Sequence, residues 1–218
     1  VVGAPYDTME EVIGIREGEH SDMGSLKDFG VEYRQVDLVD GEFVDYNGIE
    51  SLLKAEKIKA VLIQRSRGYD WRDSLTVAEI GKIISLVKTV SPSTLCIVDN
   101  CYGIFVETKE PTEVGADLIV GSLIKNAGGS LALSGGYIAG TKECVRRVGY
   151  RLTAPGLGKH VGASLGMNRN MYQGLFFAPH VVGESIKTAV LCAAIFERLG
   201  FEVCPAADAE RSDIIQAV

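Results

Sequence analysis

The segment Gly115–Gly129, GADLIVGSLIKNAGG, decides the predicted fold. It contains a continuous apolar run over residues 117–122, and such runs are typical of strands that helices cover on both faces of a parallel sheet. The run closes in Gly121 and Ser122, and Lys125 follows among small residues. Ligands of open α/β sheets bind at the carboxyl ends of the strands. The segment therefore predicts a buried strand with a lysine amine at the ligand-binding edge.

The sequence on both sides of this segment alternates between strand-like and helix-like patterns, which is typical of an α/β fold with a mostly parallel sheet. Apolar and β-branched runs predict strands at residues 30–38, 60–64, 94–100, 117–122, 135–140 and 200–205. Helical spacing and capping residues predict helices at residues 7–17, 46–57, 74–90, 109–116, 141–152 and 179–200. The predicted architecture is therefore a sheet flanked by helices.

Composition and charge exclude several classes of function. The 218 residues are 46% hydrophobic, which is enough for a buried core. A net charge of -7 and a pI of about 5.1 argue against nucleic acid as a partner, because phosphate binding requires clustered Lys and Arg. The first residues lack the order of a signal peptide, and no apolar run is expected to reach the length that a bilayer requires. We therefore expect a cytoplasmic protein that binds neither nucleic acid nor membranes.

The cysteines and histidines indicate no metal site. The five cysteines form no CxxC pair and leave one over, so neither a disulfide framework nor a zinc ribbon is predicted. His20, His160 and His180 lie far apart in the sequence and lack neighbours at ligand spacing.

Three short motifs suggest competing chemistries. GASLG (162–166) matches a serine hydrolase elbow, but no strand is predicted before Ser164 and no histidine follows His180. PGLGKHVG (155–162) resembles a dinucleotide loop without its preceding strand. SLIK, from Ser122 to Lys125, has the S-x-x-K spacing of serine acylases, in which a helical turn lets the lysine activate the serine. The S-D-N and K-T-G motifs of those acylases are incomplete here, but the acylase remains an alternative.

A fourth pattern joins the ends of two predicted strands. Asp99 lies at the end of the strand at 94–100, Ser122 ends the strand at 117–122, and Lys125 follows three residues later. If the strands are neighbours, a carboxylate, a hydroxyl and an amine face one pocket. Pyridoxal phosphate suits this set, because the amine forms a Schiff base with its aldehyde, the carboxylate keeps its ring nitrogen protonated and the hydroxyl contacts its phosphate. The ordinary alternatives are a turn aspartate and a solvated loop lysine.

Longer motifs resemble one family of pyridoxal-phosphate enzymes. These motifs are GAPYDTMEEVIG (3–14), QRSRGY (64–69), DNCYGIFVE (99–107), EPTEVGADLIVGSLIKNAGGSLALSGGYIAG (110–140) and the stretch from APHVV to DIIQAV (178–218). Together they are similar to the aluminium-resistance proteins, also called methionine gamma-lyase related proteins, a branch near the cystathionine lyases. The resemblance covers essentially the whole chain. It implies the fold type I, PLP-dependent transferase-like architecture and pyridoxal 5'-phosphate as the cofactor.

The resemblance also implies roles for individual residues. Lys125 would carry the cofactor as a Schiff base, Asp99 would meet the ring nitrogen and Ser122 would contact the phosphate. Cys101 falls where a small side chain lies against the ring, and Gln64 ends the preceding strand, near the ring oxygen. The alternatives are a core thiol for Cys101 and a strand-end hydrogen bonder for Gln64.

The chain departs from the family pattern in two respects. Val2 stands before Gly3, where the better-known lyases have a tyrosine that stacks on the ring, so Tyr6 is the candidate for that contact. The C-terminal arginine that usually grips the substrate carboxylate has no match in this chain. Arg65 and Arg67 are therefore the candidates for that role, or for lining a dimer interface.

These observations predict a segment of a longer protein. Residues 1–155 are expected to form a large cofactor-binding α/β domain, and residues 156–218 an interdomain loop, a long helix and the start of a C-terminal α+β domain. The expected function is β- or γ-elimination from a sulfur amino acid through the Lys125 Schiff base. A serine acylase and a non-catalytic binding protein of the same fold are the alternatives. Because this class builds its pocket between subunits, the resemblance implies a homodimer or homotetramer.

Overall fold

The computed structural model describes residues 7–15 and 24–218, which form helices around a four-stranded sheet. The α-helices are α1 (Asp7–Ile13), α2 (Tyr46–Ala55), α3 (Val77–Val90), α4 (Lys142–Gly149) and α5 (Asn168–Arg198). The strands are β1 (Ala60–Gln64), β2 (Leu95–Asp99), β3 (Leu118–Ser122) and β4 (Gly136–Gly140). Short 3-10 helices cover Lys27–Phe29, Pro111–Val114, Asn126–Gly128 and Gly158–His160. The order confirms the predicted α/β alternation.

The sheet has the order β1-β2-β3-β4, with β1, β2 and β3 parallel and β4 antiparallel to β3. Helix α3 connects β1 to β2, and the 3-10 helix Pro111–Val114 lies between β2 and β3. Gln64 of β1 pairs with Asp99 of β2, and Asp99 pairs with Val120 of β3. The carboxyl ends of three parallel strands therefore meet at one edge of the sheet.

The main hydrophobic core lies where α2 and α3 pack against the sheet. Helix α3 begins at a capping box, in which Thr76 Oγ1 accepts from the Glu79 amide at 3.1 Å and Glu79 Oε2 accepts from the Thr76 amide at 2.8 Å. Complete burial of an aliphatic side chain contributes about 1.5–3 kcal/mol. The fully buried apolar residues shared by α3 and the sheet are Ile63, Ile80, Ile83, Val87, Cys96 and Val98.

Two of the predicted strands are wrong. Residues 30–38 form no strand of the sheet, and Val31 is 48% exposed. Residues 200–205 contain only an isolated bridge from Cys204 to Ala217. A strand requires a hydrogen-bonded neighbour, and β-branched and aromatic composition alone does not supply one.

Helix α5 begins at Asn168 rather than at residue 179, and it continues through Pro179. Proline is favoured at the first turn of a helix, but here it lies in the interior. By length and composition alone α5 could cross a membrane, and 17% of its apolar window is buried inside the structure. The expectation that no apolar run has that length was therefore wrong. Long core helices of water-soluble proteins meet the same criterion.

Helix α5 packs its N-terminal half against the 3-10 turn that follows Lys125. At Gly129, where φ is +51°, an added Cβ would overlap the backbone of Gly174. A Cβ at Gly174 would in turn overlap the carbonyl oxygen of Gly128. These glycines allow two backbones to touch, so α5 supports the turn that carries the lysine.

Candidate active site

Polar residues at the ends of β1, β2 and β3 lie at one edge of the sheet. Gln64 and Asp99 are register partners. Ser122 ends β3 two residues after Val120, which is the register partner of Asp99. The prediction that Asp99 and the segment from Ser122 to Lys125 come from neighbouring strands is therefore confirmed.

Lys125 lies in the turn after β3. Its amide donates to Ser122 O at 3.4 Å, and its half-buried side chain places Nζ 4.2 Å from the centroid of the Tyr102 ring. Asn126 Nδ2 donates to Tyr102 O at 2.9 Å and to Ile104 O at 3.3 Å. The lysine turn and the loop after β2 are thereby tied together.

The Cys101 thiol lies close to three of the candidate residues. The pKa of Cys101 is raised to about 11, mainly by burial and also by the Asp99 carboxylate through its charge and a hydrogen bond. The Lys125 ammonium and the Ser122 backbone act on the same pKa in the opposite direction. The Cys101 amide also donates to Asp99 Oδ1 at 3.1 Å. The Asp99 carboxylate, the Lys125 amine and the end of β3 therefore all lie near one neutral thiol.

The Ser122 hydroxyl accepts a hydrogen bond from the Ile124 amide at 3.1 Å. A hydroxyl also carries one donor hydrogen, which suits it to contact an anion. The acylase alternative requires a helical turn from Ser122 to Lys125, but Ser122 ends a strand and a non-helical turn follows. The hydrolase elbow at Ser164 likewise lacks its strand, because the 3-10 helix Gly158–His160 precedes it. Neither serine has the local geometry that its motif needs.

Gln64 is 6% exposed, and its Nε2 donates to Ser66 O at 3.3 Å. The side-chain amide thus stabilises the loop that follows β1. A contact with the cofactor ring stays a prediction for Gln64. Tyr6, the candidate for stacking on the ring, lies outside the described residues.

Arg65 is fully buried and cannot grip a substrate carboxylate in this arrangement. Its guanidinium donates to Asn100 Oδ1 at 2.6 Å and to Glu107 Oε1 at 2.7 Å. A Cβ at Gly103 would overlap the Arg65 guanidinium, so the glycine leaves room for it. The expectation that Arg65 binds substrate or lines an interface is therefore wrong.

Arg67 is 2% exposed and is also committed to internal contacts. Its guanidinium donates to the carbonyl oxygens of Asp70 and Cys204 and lies 5.6 Å from the centroid of the Trp71 ring. The side chain joins the loop after β1 to the segment after α5. The same correction applies to Arg67, because neither its charge nor its donors face outward.

Aromatic and amide groups that no sequence motif indicated also frame the site. Tyr137 of β4 donates to Asn100 O at 3.0 Å, and its ring fills the space where a Cβ on Gly121 would lie. Burial raises the pKa of Tyr137, and the nearby Glu110 carboxylate adds to the effect, so the phenol stays a neutral donor. Tyr102 stands in the DNCYG motif, but no sequence pattern indicates that its ring meets Lys125.

The chemistry of this donor set fits pyridoxal phosphate. The cofactor needs an amine for its aldehyde, a carboxylate for its ring nitrogen and donors for its phosphate. Lys125, Asp99 and Ser122 present these groups at one edge of the sheet. Among residues 7–15 and 24–218, no cluster of three or more His, Cys, Asp or Glu side chains could hold a metal ion.

Comparison with known sequences identifies relatives over the full chain. The sequence model of the family described as methionine gamma-lyase matches residues 1–218. YnbB of Bacillus subtilis (strain 168) is 48% identical over 218 residues, which are 100% of this chain and 51% of YnbB. A 33.9 kDa protein of the glnA 5' region of Lactobacillus delbrueckii subsp. bulgaricus is 48% identical over 98% of this chain and 69% of its own length. The chain thus spans about half the length of YnbB.

Solved structures show the same architecture. A carbon-sulfur lyase involved in aluminum resistance from Clostridium novyi NT has a TM-score of 0.92 at 54% identity, covering 99% of this chain and 51% of that chain. CalE6, a methionine gamma lyase from Micromonospora echinospora, has a TM-score of 0.52 at 19% identity over 70% of this chain and 41% of that chain, and it shows a shared fold type I architecture. The full-length family match and these relatives establish that the chain belongs to the methionine gamma-lyase family.

Proposed function

We propose that this chain carries the active site of a pyridoxal-phosphate-dependent lyase that eliminates a β or γ substituent from a sulfur amino acid. The observation that supports it most is the convergence of Lys125, Asp99 and Ser122 around the Cys101 thiol. A solved relative at 54% identity is named a carbon-sulfur lyase. Because this chain covers 51% of that relative, the activity of the whole protein is part of the proposal.

The proposed chemistry assigns one task to each residue. When bound, pyridoxal phosphate would supply an aldehyde that joins the Lys125 amine and a ring that accepts electrons. Asp99 would hold the proton of the ring nitrogen through a charge-assisted hydrogen bond, and Ser122 Oγ would donate to the phosphate. As a free amine, Lys125 Nζ would take the Cα proton as general base. The carbon–sulfur bond then breaks, and its electron pair leaves with the sulfur.

Borohydride reduction tests the lysine assignment. The protein is incubated with pyridoxal phosphate, reduced and mapped by peptide mass spectrometry, and the pyridoxyl mass is expected on Lys125. Lys125→Ala should abolish the adduct, whereas Lys142→Ala, at an exposed position on α4, should retain it. An adduct on another lysine, or none, contradicts the proposal.

Asp99→Asn tests the electron-sink role separately. The amide keeps the shape of the side chain but cannot hold a protonated ring nitrogen by charge. The variant should keep the Lys125 adduct and lose turnover by about 100-fold, the usual effect of deleting one preorganised electrostatic contact. An adduct on Lys125 without turnover of any sulfur amino acid in the parent protein would indicate the non-catalytic alternative.

Location and assembly belong to the same proposal. We place the protein in the cytoplasm as a homodimer or homotetramer, with residues 1–155 as the cofactor-binding domain. Analytical ultracentrifugation tests the assembly, and a monomer that is fully active would contradict it.

A further inference from the structure

We propose that Tyr102 is a further catalytic residue, whose ring face receives the Lys125 ammonium after the lysine has taken up a proton. The inference rests on the proposed function, because it concerns the same amine. It starts from the distance of 4.2 Å between Lys125 Nζ and the ring centroid. A cation within about 6 Å of an aromatic centroid is attracted by the negative face of the ring.

Among the described residues, the Tyr102 ring face lies against the Lys125 ammonium. Within residues 7–15 and 24–218, Lys125 forms no ion pair, although Asp99 lies close enough to act on the neighbouring Cys101 thiol. Both Tyr102 and Lys125 are partly buried, which removes part of the water that would otherwise solvate the ammonium. Cation–π attraction strengthens when the cation is desolvated.

Two sets of contacts keep the ring and the amine together. Asn126, the residue after Lys125, is 5% exposed and donates to the Tyr102 carbonyl at 2.9 Å. The same turn is supported by the close backbone contact of Gly129 with Gly174 of α5. These connections fix the backbone of Tyr102 relative to the turn that carries Lys125, and the two side chains bring Nζ to the ring from there.

The position of the Tyr102 ring next to Lys125 Nζ matters for both proton transfers of the elimination. The Cα proton moves to Lys125 Nζ, and the resulting ammonium is stabilised by the Tyr102 ring. The ammonium then gives its proton to the departing sulfur and returns to the neutral amine, so that no proton is gained or lost. The ring face performs this task, and the phenol hydroxyl is not needed for it.

Competitive acetylation of the cofactor-free protein tests the contact without using turnover. Only a neutral amine is acetylated, so a ring that favours the ammonium slows the reaction. At about pH 7, Tyr102→Leu should accelerate acetylation of Lys125 by about 2- to 30-fold relative to Lys142, whereas Tyr102→Phe should stay within about twofold of the parent protein. The ratio for Tyr102→Leu should begin to fall near pH 10.5, where ordinary lysines become neutral, and should approach one only at higher pH, where the parent Lys125 is neutral as well.

The pH profile separates the ring effect from simple access. If removal of the ring only opened a path to the amine, the acceleration would be the same at every pH, and this result would overturn the proposal. An equal effect of Tyr102→Phe would also overturn it, because that variant keeps the ring. If Tyr102→Leu fails to fold, a series of increasingly fluorinated phenylalanines at residue 102 weakens the ring face at nearly constant shape. Acetylation should then rise with each fluorine, and a flat series refutes the contact.

Turnover of the loaded enzyme provides the second readout. Tyr102→Leu should lower kcat by about 2- to 30-fold and Tyr102→Phe by less than about twofold. A pyridoxyl adduct that maps elsewhere than Lys125 would refute the proposed function, while the acetylation series would still report on the contact with the ring. Normal kcat in Tyr102→Leu, with the adduct on Lys125, would refute the catalytic role of Tyr102 alone.

Discussion

Replacement of Arg65 by methionine removes a buried charge that holds the loop after β2. The guanidinium is 0% exposed and makes hydrogen bonds of 2.6 Å to Asn100 Oδ1 and 2.7 Å to Glu107 Oε1. Methionine fills much of the same volume but leaves both acceptors without this donor. Removal of one partner from a buried pair costs about 3–5 kcal/mol, because the groups that it leaves, here Asn100 Oδ1 and the largely buried Glu107 carboxylate, lose a charged donor. We expect the free energy of unfolding to fall by about that amount.

Urea denaturation measures this loss directly. With a slope of about 2 kcal/mol per molar urea, the midpoint of Arg65→Met should fall by roughly 1.5–2.5 M. Glu107→Gln should have a smaller effect, because the glutamine oxygen still accepts from Arg65 and the Glu110 carboxylate stays 3.8 Å from the guanidinium. Lys187→Ala, which breaks an exposed pair with Glu184, should leave the midpoint unchanged. A midpoint for Arg65→Met within about 0.5 M of the parent protein would refute the reasoning.

The contacts of the lysine turn predict the effect of a substitution at Gly129, and the surroundings of the Cys101 thiol predict its alkylation rate. Gly129→Ala should destabilise the protein by more than about 2 kcal/mol in thermal denaturation, because φ at Gly129 is +51° and the new Cβ enters the α5 backbone. Gly183→Ala is the control, since Gly183 has open space around it and the change should be neutral or stabilising. Equal effects of the two substitutions would contradict the packing of the turn on α5. Because the pKa of Cys101 is raised from 9.0 to about 11, its thiol is neutral at physiological pH. Its alkylation by iodoacetamide should therefore be about 100-fold slower than that of an ordinary cysteine, and the alkylation rate should increase with pH until about pH 11. Asp99→Asn should accelerate that alkylation, since the carboxylate raises the pKa of Cys101, and an unchanged rate would show that the two groups are not coupled.

Several local elements could be predicted from the sequence alone because their causes are local. The strand AVLIQ has the predicted bounds Ala60–Gln64, since a short apolar run between polar segments leaves little freedom in its ends. Helix α3 follows from apolar residues at helical spacing after the capping pair Thr76 and Glu79. The strand ends at Asp99 and Ser122 were predicted for the same reason, and with them the candidate site.

Other features depend on contacts between distant parts of the chain. Residues 30–38 have strand-like composition, but within the described part of the chain only Val36 takes part in a bridge and no strand of the sheet lies beside them, so propensity alone misplaced a strand there. The burial of Arg65 depends on Glu107, which is 42 residues away, and no local pattern indicates that pairing. The start of α5 at Asn168 is supported by its packing on the glycines after Lys125, which outweighs the interior proline.

The sequence by itself determined the alternation of elements and the residues that end the parallel strands, because period, polarity and capping act within a few residues. The tertiary structure alone decided what faces the lysine amine. Strand register brings Asp99 beside β3, and the Asn126 hydrogen bond ties the backbone of Tyr102, whose ring lies over Lys125 Nζ, to the lysine turn. Such contacts depend on how separate segments pack, and packing is a property of the folded chain rather than of any one segment.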